Sequence, residues 1–183
     1  MKRLPGEEGI WVLIGGDLFV FSLFFLTYMY YRGGELAVFL ASQRTLTLGF
    51  GLANTILLLT SSLFVAIATR RLRVTGKPAP GLYLAAMACG LGFVGDKALE
   101  WGDKFHAGIG FTTNDFYMLY FAFTGIHLFH VLLGLGVLTF LTFACRRPNA
   151  ATSGLVLIES GAIFWHLVDL LWIVLFALFY LVR

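Results

Sequence analysis

Five long apolar runs constrain this chain more than any other feature. They cover roughly Ile10–Tyr31, Leu46–Thr69, Gly81–Glu100, Phe116–Cys145 and Gly154–Val182. Each supplies the roughly 20 apolar residues that a helix needs to cross a bilayer. Inside hydrocarbon every backbone N–H and C=O must be satisfied within the protein, so such runs are helices. The predicted fold is therefore all-α: an integral membrane bundle of five transmembrane helices in one membrane domain over residues 1–183. Composition enters only as support. Hydrophobic residues make up 59% of the chain and charged residues 13%, with a mean hydropathy of +0.86. Soluble domains are rarely so apolar. The first run is long enough to span, and no small-residue cleavage site follows it closely, so it reads as an anchor and not as a signal peptide.

Orientation follows from Lys and Arg in the short loops. One side carries Lys2, Arg3, Arg70, Arg71, Arg73, Lys77, Arg146 and Arg147; the other carries Arg32, Arg44, Lys104 and Arg183. The N-terminus is expected in the cytoplasm and the C-terminus on the periplasmic side. The net charge of +3 is small and confined to loops, so nucleic acid is not an expected partner. Cys89 and Cys145 both fall in apolar helices, outside any disulfide or metal motif.

Polar groups inside the runs carry what chemistry there is. In ESGAIFWHLVDLLW (159–172), His166 lies about 20° from Glu159 on a helical wheel and Asp169 about 60° further round. All three share one face. Ionisable groups at membrane depth are costly, so they turn toward partners or a cavity. Asp17 follows Gly15 and Gly16, which are expected to let another helix approach closely. Its expected neighbours are Ser61, Ser62 and Glu159. Span two carries Thr47, Asn54 and Ser61 on one stripe. Span three ends with Asp96, Lys97 and Glu100, and span four presents Tyr120, Thr124, His127 and His130. Counted along their helices, Lys97 and Asp169 lie at about 22 and 21 Å from the cytoplasmic side. A buried Lys97–Asp169 ion pair is expected on that ground, with His166 nearby. His127 and His166 both come near mid-membrane.

Three readings of these groups stand side by side. They fix helix packing as buried hydrogen bonds and ion pairs, they relay protons, or His127 and His166 ligate a haem. Acidic partners on the same helices weigh against the haem. No CxxCH, HExxH or cysteine cluster occurs, nor a phosphate loop, nor a nucleophile elbow. Neither a catalytic centre nor a metal site is expected in this chain.

The pattern of polar residues resembles subunit III of the haem–copper oxidases across essentially all five spans. GIWVLIGGDLFVFSLFF (9–25), NTILLLTSS (54–62), DKALEW (96–101), FYMLYFAFTGIHLFHVLLG (116–134) and ESGAIFWHLVDLLW (159–172) carry the likeness. TGIHLFHVLLG and E-x6-H-x2-D-x2-W are its specific parts. The opening RLPGEEGIWVLIGGD and the ending HLVDLLWIVLFALFYLVR resemble the NorE branch, which is associated with nitric oxide reductase. The resemblance implies a five-helix form without the two N-terminal helices of the seven-helix type. It also implies that Asp17 matches the family's intramembrane carboxylate, the one tied to carbodiimide labelling and to proton uptake, where the mitochondrial type has Glu. Glu100, His127, His130, Glu159, His166 and Asp169 fall on family positions too. By the same resemblance the chain is a non-catalytic accessory subunit of a respiratory complex in a bacterial inner membrane. Haem and copper, or non-haem iron, belong to its catalytic partner subunit, and phospholipid is expected on this one. Subunit III of an oxygen-reducing cytochrome c or quinol oxidase is the alternative parent, and a haem-binding membrane cytochrome or a proton channel the alternative class.

Overall fold

The computed structural model describes residues 6–182; Lys2, Arg3 and Arg183, used above for orientation, lie outside the described residues. Its helices are α1 (Glu8–Gly34), α2 (Leu36–Gln43), α3 (Leu48–Thr75), α4 (Pro80–His106), α5 (Asp115–Ala144) and α6 (Leu155–Phe176). The last helix runs on as a π-helical turn, Ala177–Leu181. Five of these are long and apolar enough to cross a membrane, and no strand occurs among the described residues. The all-α expectation of five spans holds.

Local sequence sets the helix ends. Gly76 takes φ 65° and closes α3, a left-handed conformation that costs glycine nothing. Pro80 opens α4, where its missing N–H is one of the unpaired donors anyway. Asn114 caps α5 by accepting from the Tyr117 N–H at 3.0 Å. Two features differ from expectation. Helix α4 continues past Glu100 to His106, well into the stretch expected as a loop. A short helix, α2, fills the first connection; at eight residues it is too brief to register as a span.

Helices α3, α4, α5 and α6 form the core, with α6 most enclosed. Of its most apolar window 56% is buried, against 6% for α1, which lies outside against α5 and α6. Trp165 and Trp172 of α6 are fully buried. Glycines make room for Trp165: a Cβ on Gly134 would sit 2.6 Å from its ring, and one on Gly90 3.0 Å. Small residues bring membrane helices close because dispersion contacts, not water exclusion, hold them together. Ser61 of α3 donates to the Ala86 carbonyl of α4 at 2.9 Å, and the Trp172 indole donates to Thr55 at 3.1 Å.

The end of α6 is tied down by neighbouring side chains. A helix leaves its last carbonyls without intrahelical donors. Gln43 of α2 donates to the Phe179 carbonyl at 2.9 Å and to that of Leu178 at 3.3 Å, and the Tyr28 hydroxyl reaches Leu178 at 3.4 Å.

Candidate functional site

The intramembrane polar residues form separate clusters. At the α2 end of the bundle Lys97 is fully buried. Its ammonium donates to Glu100 Oε2 at 2.6 Å and faces the Tyr180 and Tyr120 hydroxyls at 3.3 and 3.5 Å. Tyr180 donates to the other Glu100 oxygen. The ammonium also lies 4.8 Å from the Trp172 ring centroid, within cation–π range. A buried charge is tolerable only when it is paired and its remaining donors are filled, and this nest does both.

The expected Lys97–Asp169 pair is thereby corrected. Lys97 is held by Glu100, one helical turn away on the same helix, while neither oxygen of Asp169 has a hydrogen-bond partner. Equal counted depth did not bring the two groups into contact. Tyr180 was not among the expected residues. A signal for it existed: it lies 11 residues past Asp169, about 20° away on an ideal helix.

Asp17 meets a partner other than those expected. Its Oδ1 is 3.7 Å from His130 Nε2, not beside Ser61, Ser62 or Glu159. Nothing lies within 4 Å of where a Cβ on Gly15 or Gly16 would sit, so no helix of the described chain closes on that stretch. His130 Nδ1 is 2.8 Å from the Ile126 carbonyl. A carbonyl only accepts, so Nδ1 carries a proton.

Glu159 lies at the opposite end, bound to Arg73 at 2.8 Å, and accepts from the Gly6 N–H at 3.3 Å. Ser160 accepts from the Glu7 N–H at 2.9 Å, so this rim also anchors the start of α1. His166 Nδ1 is 2.6 Å from the Ser62 hydroxyl, and Asp169, one turn further along α6, also neighbours Ser62. His127 is fully buried and neither ring nitrogen has a partner. It packs edge-on to Phe93 and against Trp172, with ring centroids 5.6 and 5.4 Å away. Asn54 is equally buried and unpartnered, beside Asp96.

The structure thus brings together Lys97 with Glu100 and Asp17 with His130. It groups His166 with Ser62 and Asp169, and sets Glu159 apart at the rim. Among the described residues no three His, Cys, Asp or Glu side chains converge as a metal site requires. These arrangements can hold charge, fix helix contacts and pass protons.

Comparison with known proteins agrees across nearly the whole chain. The family model of cytochrome c oxidase subunit III matches residues 7–182. The chain is 30% identical to cytochrome c oxidase subunit 3 of Bacillus sp. (strain PS3) over 183 aligned residues, covering 94% of this chain and 84% of that one. To quinol oxidase subunit 3 of Bacillus subtilis (strain 168) it is 26% identical, covering 94% and 85%. It is also 26% identical to a heme-copper oxidase subunit I+III of Aeropyrum pernix, covering 96% of this chain and 22% of that longer one.

Proposed function

We propose that this chain, which belongs to the cytochrome c oxidase subunit III family, is the accessory membrane subunit of a haem–copper respiratory complex. The match over residues 7–182 is the observation that carries the reading. The polar clusters agree with it, because each is built to hold helices or protons. The partner is a catalytic haem-containing membrane subunit. A relative named as subunits I and III in one chain supports direct contact between the two. Haem and copper, or non-haem iron, sit in that partner, and this chain binds phospholipid and no metal. The complex lies in a bacterial inner membrane, with the N-terminus of this chain cytoplasmic and its C-terminus periplasmic.

Two parent complexes fit. Relatives named as cytochrome c and quinol oxidase subunits favour one that reduces oxygen. The likeness of RLPGEEGIWVLIGGD and HLVDLLWIVLFALFYLVR to the NorE branch favours one that reduces nitric oxide. Purification through a tag on this chain in mild detergent should bring down a haem-containing membrane subunit. Its turnover with oxygen or with nitric oxide then separates the parents. Recovery of the chain with no haem protein at all would overturn the accessory reading.

A further inference from the structure

A pocket of about 410 Å³ opens between α3 and α6 at the end that carries Arg70 and Arg73. Arg73 and Glu159 pair at its rim, and His166 lies in its wall. On α3 the lining residues Ala66, Thr69 and Arg73 continue the helical face of Ser62, at spacings of about four, seven and eleven. Thr69 is held from behind by the Tyr83 hydroxyl of α4 at 3.0 Å. Past His166 the pocket gives way to Ser62 and then to Asp169, ten residues beyond Glu159 and so about 15 Å deeper along α6.

Asp169 is unusual among the buried acids. It is 4% exposed, and neither of its oxygens has a hydrogen-bond partner. Lys97, the buried cation of α4, is committed to Glu100 and makes no bond to it. The groups that face it are Ser62 of α3 and, through Ser62, His166 of its own helix. An orphaned carboxyl in a dry core is costly, and a purely structural acid would be expected to find a donor. Ser62, hydrogen-bonded to the His166 imidazole, lies next to Asp169, one turn deeper than His166 along α6; rotation of its hydroxyl from the ring to the carboxyl completes a proton path.

The geometry points to a proton-exchange site in which Asp169 is an internal acid loaded from the α3–α6 pocket through His166 and Ser62. Solvent at the pocket mouth gives a proton to His166 Nε2. The Nδ1 proton passes to Ser62 Oγ, and the Ser62 hydroxyl proton passes to the Asp169 carboxylate. The imidazole ends neutral in its other tautomer, the serine keeps one proton, and Asp169 gains one. The reverse sequence unloads it. This names a proton-handling residue within the accessory reading but needs no parent enzyme, so the two can fail separately.

The test is infrared spectroscopy of the full chain in detergent at mildly acidic pH, on transfer from H2O to D2O. The protonated carboxyl band of Asp169 is identified by its loss in Asp169→Asn, or by its displacement in Asp169→Glu if the first variant fails to assemble. In the unaltered chain the band should shift with deuterium soon after transfer. Ser62→Ala and His166→Asn should retain the band and slow its exchange by about tenfold or more, as loss of a hydrogen-bonded step requires. A band that never exchanges would make Asp169 a sealed structural acid. Exchange at the unaltered rate in both relay variants would show another route. Either result overturns the proposal.

Discussion

At the scale of single residues, the decisive question is which partner each ionisable group meets. Lys97 and Glu100 answer each other inside one helix, with Tyr180 and Trp172 completing the nest. Removing one member of such a pair strands the other charge, at about 3–5 kcal/mol in soluble proteins. Lys97→Met and Glu100→Gln should therefore each destabilise the bundle by that order in detergent unfolding, and the double variant should recover part of the loss. Asp169→Asn, which touches neither, should show no such coupling to Lys97→Met in a double-mutant cycle. Asp17 makes the opposite kind of contact, half-exposed and shared with His130. Asp17→Asn should assemble normally, lose carbodiimide labelling at that position and alter sustained turnover of the parent complex. Labelling equal to the parent chain, or unchanged turnover, would leave the pair a packing contact.

At the scale of elements, α6 is the helix on which the others converge, because Trp165 projects from it into space left by Gly90 and Gly134 and Trp172 packs against Phe93 and His127. Gly134 is the tightest point, 2.6 Å from the Trp165 ring if it carried a Cβ. Gly134→Ala should cost about 1–3 kcal/mol, the usual penalty of overpacking a close-packed site. Gly15→Ala, with nothing within 4 Å, should cost the isolated chain little, so thermal unfolding of the two variants side by side checks the contrast. Helix α1 is tied by the Glu159–Ser160 rim at its start, by Asp17 and Phe21 against His130, by the Phe24–Phe123 stack with centroids 4.9 Å apart, and by Tyr28 at Leu178 and Phe179.

At the scale of the whole molecule, the described residues hold five helices long and apolar enough to cross a membrane, and an odd number of crossings predicts opposite sides for the two ends. By their Lys and Arg content, the loops around Arg73 and Arg147 are expected on the cytoplasmic side. Reporter fusions at Arg73 and at Arg183 should read cytoplasm and periplasm respectively; the same side for both would reject the topology. The rim at Arg73 and Glu159 would then face the cytoplasm, and the Lys97 nest the periplasm.

The sequence alone determined the five long apolar helices and the all-α class, because hydropathy over a run of residues is a local property. It also made the shared face of Glu159, His166 and Asp169 legible, and the long family likeness. It could not place those faces against one another. Lys97 and Asp169 were matched in depth yet do not pair, and Asp17 meets His130 and not Glu159. Which groups face across a bundle depends on how each helix is rotated about its own axis. That rotation is set by contacts between distant residues, such as Trp165 seated on Gly134 and Gly90. Helix α2 escaped for a related reason: eight residues carry too little periodic signal, and its Gln43 has a role only once the end of α6 is beside it.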